Sequence, residues 1–313
     1  MNSAILSHTQ TRAGRLWPAA GPFSLDDESS YARWREAKLG GYPRAVDELL
    51  VSFAGLARPT PDERAAVLAL CARANMAVYR TSDIGRDAAA VRPALRALGE
   101  ALGLRAVEDH RSAEADGIVA IEVVAGGGRL GYIPYTARPI SWHTDGYYNY
   151  HGASNAVQAM LLHCVRDAAE GGVNALLDHE IAYIRLRDRD PAFIAALMHP
   201  ETMTIPEGEE AHGRVRPDNT GPVFFIEPSR GALVMRYTAR KRYITWRDDE
   251  TTRQAVAALE EVLETDPLTL RHKLQPGEGL ICNNVLHTRT GFADGDGAGR
   301  LLYRVRYHDR IAD

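Results

Sequence analysis

The residues best suited to chemistry lie in the run Ser141-Trp142-His143-Thr144-Asp145-Gly146. In an extended segment the side chains of residues i and i+2 leave the same face. His143 and Asp145 can therefore present an imidazole nitrogen and a carboxylate oxygen to one point. A third ligand from elsewhere would complete a facial triad, which leaves three positions of an octahedral iron open. A lone His-x-acid is weak ground in a chain with eleven histidines. A second instance, His199-Pro200-Glu201, sits in a Pro-bounded segment with no companion motif and reads as surface.

The context downstream separates the two. Gln275-Pro276-Gly277 forms a turn before the apolar run Leu280-Ile281-Cys282, and His287 follows shortly after it. The loop 294–299 then leads into Arg300-Leu301-Leu302-Tyr303-Arg304-Val305-Arg306-Tyr307, an alternating strand carrying arginines. The planar guanidinium fork binds carboxylates bidentately, so such a strand suits a dicarboxylate. Arg306 shares a face with Arg304 if the segment is extended, and it reads as a structural residue. Tyr147 and Tyr148 directly follow the first motif. They are candidates for a substrate wall, since tyrosine faces attract quaternary ammonium groups, with ordinary packing as the alternative. Trp142, His163, Cys164 and Cys282 read as packing residues, and Asn284 as support for the metal segment. The run Arg240-Lys241-Arg242 reads as a solvated loop, with attraction of an anionic substrate as the alternative.

These residues need a scaffold. The first hundred residues read as mainly helical, with one helix over 44–53. A second starts at Thr60-Pro61-Asp62-Glu63, where Thr60 caps, Pro61 suits the first helical position and Glu63 completes a capping box. It runs to about residue 73, Asn75 breaks it, and a short strand follows over 76–80. A third helix is predicted over 88–102. From Gly117 onward, short apolar stretches between Gly, Pro and Asp turns predict a β-sandwich or barrel, interrupted by helices over 179–187 and 249–264. No Pro- or Gly-rich linker divides the chain. The expected organisation is one domain over 1–313, in which a mostly helical part (about 1–105) packs on a β-core (106–313).

With these motifs in order, the sequence resembles the taurine dioxygenase, γ-butyrobetaine hydroxylase and clavaminate synthase group of Fe(II)/2-oxoglutarate oxygenases. The similarity covers roughly residues 76–310. WHTD, LLHC, Gly171-Gly172 and Leu177-Asp178 resemble the group's first metal segment. LLHC and NNVLH resemble the γ-butyrobetaine branch, while HTRTGF with the Arg300/Arg304 pair resembles clavaminate synthase. The small zinc domain that precedes the γ-butyrobetaine catalytic domain has no counterpart in the sequence.

The resemblance implies a fold that is mainly β with flanking helices around a double-stranded β-helix, or jelly roll. It implies Fe(II) held by His143, Asp145 and His287, with 2-oxoglutarate and O₂ as cosubstrates. Arg300 would bind the distal carboxylate of 2-oxoglutarate, and Arg304 would face either the substrate or the cosubstrate. Asn174 stands where relatives often use a threonine toward 2-oxoglutarate. Because Asp145 keeps a carboxylate on the metal, hydroxylation is implied over halogenation, with desaturation or demethylation open. The expected substrate is a small zwitterion or organic acid. A metal-dependent hydrolase on the same ligands, a non-catalytic β-sandwich, and a 2-oxoglutarate binder without turnover are the competing readings.

Bulk properties narrow the class further. The chain has 313 residues, 45% of them hydrophobic, which is enough for a substantial core. A net charge of −4, with no basic run interleaved with aromatics, argues against a nucleic-acid partner. Three well-separated cysteines and no CxxC suggest neither a disulfide framework nor a zinc knuckle. The apolar run at residues 4–6 is too short for a signal-peptide core, and no window approaches a membrane span. A cytoplasmic protein is expected, with no membrane partner and with homo-oligomerisation left open.

Overall fold

A computed structural model of the chain describes residues 16–83, 87–109, 112–124, 132–209 and 215–311. The run at 4–6 lies outside them. Ten strands build two facing sheets: β1 (Leu50–Phe53), β2 (Met76–Thr81), β3 (Val119–Ile121), β4 (Ile140–His143), β5 (Ala159–Arg166), β6 (Asn174–Leu177), β7 (Leu270–His272), β8 (Glu278–Cys282), β9 (Leu286–Arg289) and β10 (Leu301–Tyr307). The larger sheet has the order β1-β2-β8-β5-β10-β3, and the smaller has β7-β6-β9-β4. Only the β1/β2 pair is parallel within them. This is the mainly β, jelly-roll architecture the sequence led us to expect.

Both faces of the larger sheet are buried, so its strands read as continuous apolar runs rather than as alternation. On β5 and β10, Met160, Leu162 and Leu302 face inward and join Leu176, Leu286 and Leu270 of the smaller sheet in one core. Leu161, Val165, Tyr303, Val305 and Tyr307 face outward and pack under two helices. These are α2 (Pro61–Ala74) and α3 (Ala88–Ala101), preceded in the chain by α1 (Glu28–Gly41). At Gly99 of α3 a Cβ would collide with the Tyr307 hydroxyl, so glycine lets the helix close on the sheet. Each large aliphatic side chain buried this way contributes roughly 1.5–3 kcal/mol.

The remaining helices, α4 (His179–Arg189), α5 (Pro191–Leu197) and α6 (Glu250–Thr265), begin at Asp178, Asp190 and Asp249. Each of these carboxylates accepts from a first-turn N–H. The Thr60 cap and the Glu63 capping box form as expected, and Asn75 ends α2 at φ 56° in the left-handed region. Two departures stand out. Residues 44–53 do not form a helix: a 3₁₀ turn at Val46–Leu49 leads into β1, whose pairing with β2 overrides local preference. Helix α1 shows no apolar stripe; it buries Tyr31 and Lys38, the latter in ion pairs with Asp178 (2.6 Å) and Glu180 (2.5 Å). The N-terminal third therefore supplies sheet strands as well as helical cover. Among the described residues no helix is long and apolar enough to cross a membrane.

Candidate metal centre

β4 and β9 pair antiparallel with His143 opposite His287, which sets the two imidazole centroids 4.2 Å apart. Each Nδ1 lies 2.9 Å from the carbonyl two residues earlier, Ser141 O and Val285 O respectively. A carbonyl can only accept, so Nδ1 carries the proton and Nε2 is left with its lone pair. Asp145 lies just beyond the end of β4. Its Oδ1 accepts from Arg304 Nη1 (3.0 Å) and Arg306 Nη1 (3.2 Å), while its buried Oδ2 has no partner. One ligand atom from each of His143, Asp145 and His287 falls within 4.8 Å of the others.

The electrostatics fit a divalent cation. Burial, reinforced by the neighbouring His287, pushes His143 down to about 3, and burial lowers His287 as well. Both rings are therefore neutral at neutral pH. Burial would raise Asp145, but Arg304 and Arg306 outweigh it and hold the carboxyl well below the usual range. Two neutral nitrogens and one anionic oxygen, with an orphaned buried oxygen among them, make a donor set suited to Fe(II).

Neighbouring groups hold the loop after β4. Asn284, at φ 48°, accepts from the Asp145 N–H at 2.7 Å and donates to the carbonyls of Asp145 (3.0 Å) and Val157 (2.8 Å). Gly146, at φ 75°, turns the chain where a Cβ would meet Val157 at 2.6 Å. Thr144 and Tyr237 exchange two bonds of 3.0 Å, tying β4 to the segment before Arg240.

Between the sheets, a small cavity is lined by Leu162, Asn174, His287, Arg289, Arg300 and Arg304. Arg300 is 5% exposed, its Nη1 has no partner, and its guanidinium lies 5.1 Å from the Phe292 ring centroid. Its backbone N–H donates to Asp294 Oδ1 at 2.9 Å, so the 294–299 loop delivers it. Burial lowers the Arg300 pKa, and the Asp294 charge opposes it only in part. Asn174 donates to Thr288 O at 3.0 Å, and its Oδ1 is unpartnered. Sequence reasoning missed Arg289. It donates to the carbonyls of Thr136 (2.7 Å) and Arg138 (2.6 Å), and burial followed by the Arg300 charge pushes it down to about 9.

A second cavity, of about 490 Å³, opens on the other side of the ligands. Tyr147, Tyr148 and Arg304 line it, so Arg304 borders both cavities. Tyr147 meets His143 edge-on at 6.3 Å. Tyr150, two residues after Tyr148, packs on Phe225 instead. Arg306, read from sequence as structural, forms a buried ion pair with Glu108, bonds the Tyr148 hydroxyl at 3.2 Å and touches Asp145. Its position two residues after Arg304 was the available signal; nothing local announces Glu108. Of the other readings, His163 is a satisfied core residue (Nδ1 to Tyr79 Oη, 2.9 Å), and burial pushes both the Cys164 and Cys282 thiols up to about 12. His199-Pro200-Glu201 lies in an exposed turn.

This fold is that of a non-haem iron oxygenase family. Residues 47–306 match the family described as taurine catabolism dioxygenase TauD, TfdA family, and the chain belongs to it. Over 176 residues it is 31% identical to a uridine-5′-phosphate dioxygenase from Amycolatopsis sp, covering 53% of this chain and 60% of that relative's length. Three solved structures share the fold. A taurine dioxygenase from Burkholderia xenovorans is 19% identical, with 81% of this chain and 83% of that one covered and a TM-score of 0.53. The oxygenase OrfP with Fe, succinate and (3S)-hydroxy-L-Arg is 18% identical, at 80% and 82% coverage and TM-score 0.59. Asparagine oxygenase with Fe(II), 3-hydroxyasparagine and succinate is 16% identical, at 83% and 93% coverage and TM-score 0.56.

Proposed function

We propose that this protein is an Fe(II)- and 2-oxoglutarate-dependent dioxygenase that oxidises a C–H bond of a small organic acid or zwitterion, releasing succinate and CO₂. The observation that carries this reading is that His143 and His287 of the His143/Asp145/His287 donor set share one inter-sheet cavity with the buried guanidinium of Arg300, whose Nη1 has no partner among the described residues. A hydrolase using the same three ligands would have no need of that cation.

In this reading His143 and His287 give Nε2 to iron and Asp145 gives Oδ2. When bound, iron with 2-oxoglutarate and O₂ supplies the oxidising chemistry, and the protein supplies position and electrostatics. Arg300 fixes the far carboxylate of 2-oxoglutarate. Asn174 has one amide hydrogen beyond its bond to Thr288 with which to assist. Arg304 neutralises Asp145 and divides the cosubstrate space from the larger cavity, where Tyr147 and Tyr148 wall the substrate. The whole chain acts as a single catalytic unit. The relatives named for, or holding, a nucleotide, an amino acid or taurine support a small-molecule substrate. Succinate formation with Fe(II) and 2-oxoglutarate, across amino acids, betaines, sulfonates and phosphate esters, tests the reading. No succinate above a metal-free control would overturn it.

A further inference from the structure

The larger cavity carries positive charge that the chemistry at the iron does not use. Arg216, Arg240 and Arg242 line it together with His143 and Asp145. Backbone pairing holds the segment that leads into Arg240. Thr238 bridges His143, and the Ala239 N–H donates to Trp142 O at 2.8 Å. Arg240 follows two residues later, so its Cα is within roughly 7 Å of that of Thr238 at full extension. The Arg240 guanidinium lies 5.0 Å from the centroid of Tyr243, an exposed ring on the same wall. Arg216 is held by the carbonyls of Pro206 (2.5 Å) and Pro217 (3.0 Å).

Among the described lining residues of this wall, arginines outnumber acids. Asp145 and Glu207 are the acidic residues among its described lining, and Asp145 is already engaged by Arg304 and Arg306. Among the described residues, none of Arg216, Arg240 and Arg242 has an acidic partner. Cations gathered in a concave wall repel one another and focus a field that draws an anion. Phosphate suits them: it offers three strong acceptor oxygens and close to two negative charges at neutral pH, and guanidinium forks match that geometry. A single carboxylate would leave most of the charge unanswered. The space of about 490 Å³ is of the size that holds a small ligand.

We infer that the substrate of this enzyme carries a phosphate monoester, held by Arg240, Arg242 and Arg216, on a body that rests against Tyr147 and Tyr148. The inference rests on the reading of this cavity as the substrate side of the iron site.

The test uses metal-free, full-length protein and isothermal titration at low ionic strength, with uridine 5′-phosphate, uridine and taurine as probes. The phosphate ester is expected to bind at least tenfold tighter than either other probe, and to weaken as salt screens the arginines. The double variant Arg240→Ala/Arg242→Ala is expected to lose at least tenfold in that affinity. Arg253→Ala, at an exposed position of α6, controls for overall charge and is expected to change nothing. Equal binding of uridine and its phosphate, taurine bound as tightly, or an unaltered double variant would each overturn the proposal. So would loss of phosphate binding in Arg300→Ala with the double variant intact, which would place the anion in the other cavity. Succinate release by iron-loaded enzyme is measured separately. Phosphate binding without turnover would sink the oxygenase reading alone, and turnover without phosphate discrimination would sink this inference alone.

Discussion

Asn284 and Asp145 grip each other through two hydrogen bonds, the amide oxygen accepting from the Asp145 N–H at 2.7 Å and the amide nitrogen donating to the Asp145 carbonyl at 3.0 Å. The turn before β9 thus sets where the metal carboxylate stands. The left-handed backbone at Asn284 is one asparagine tolerates better than most residues. Asn284→Gly preserves that backbone freedom and removes the amide. The expected outcome is metal binding weaker by about tenfold, ~1.4 kcal/mol, in an otherwise folded protein. Anaerobic Fe(II) titration with circular dichroism as a fold control decides it; an unchanged Kd would mean the loop holds itself.

Asp145→Ala removes the anionic ligand and leaves Arg304 without its acid, while Arg306 keeps Glu108. Product formation is expected to vanish and iron affinity to fall, with some loss of stability because Arg304 and Arg306 lose their shared acceptor. Turnover near that of the wild type would refute the ligand assignment.

For Arg300→Ala the expectation is specific to the cosubstrate. Losing a buried charge-assisted contact costs on the order of 2–5 kcal/mol, equivalent to roughly 30- to several-thousand-fold weaker 2-oxoglutarate binding. Metal affinity is expected to stay nearly constant, and Arg304→Ala to act more on the substrate. Titrating 2-oxoglutarate into anaerobic Fe(II)-loaded variants, followed by the metal-to-ligand charge-transfer band, separates the cases. The same loss confined to Arg304→Ala would move the anchor four residues along.

Away from the site, Lys38 neutralises two buried carboxylates, Asp178 and Glu180. Burial would raise the Glu180 pKa, but the charge and hydrogen bond of Lys38, together with His179 and Arg310, outweigh it and the folded value lies below the ordinary 4.5. That stabilisation is present above 4.5 and is lost as pH falls through the folded value. Burial would lower Lys38, yet its two carboxylates leave it above 10.5, so its contribution holds throughout neutral pH and is lost only as pH rises through that raised value. Lys38→Met is expected to cost about 3–5 kcal/mol at pH 7, as breaking a buried pair does. The deficit should narrow as pH falls toward the ordinary carboxylate value of 4.5, because in the variant burial no longer has Lys38 to oppose it and the stranded Glu180 takes up its proton above that value. Urea unfolding at pH 7 and pH 4 measures both; an equal deficit at the two values would contradict the ion-pair account.

Some of this was legible in the residues because its rules are local. The period of two placed His143 and Asp145 together, Thr60 announced α2, and the alternation of β10 showed which arginines share a face. What stayed hidden depends on distant partners. Residues 50–53 become a strand because β2 lies beside them, not through their own pattern. Helix α1 buries a lysine rather than an apolar stripe, so periodicity could not reveal it. Glu108 acquires meaning only when the fold pairs it with Arg306, and Arg240 and Arg242 only when it brings them to the cavity.

The alternation along β10 also constrains how this protein can change. Leu302, Arg304 and Arg306 share the inner face, while Tyr303, Val305 and Tyr307 lie beneath the helices. Parity, rather than identity alone, is therefore under constraint across this strand. Gaining or losing one residue between Arg300 and Arg304 would not lengthen the site. It would turn the guanidiniums against the helix layer and bring tyrosine and valine toward Asp145. The exposed loop at 294–299 can take up changes in length before the frame begins. Along β10, drift by substitution is open, and drift by single insertion or deletion is closed.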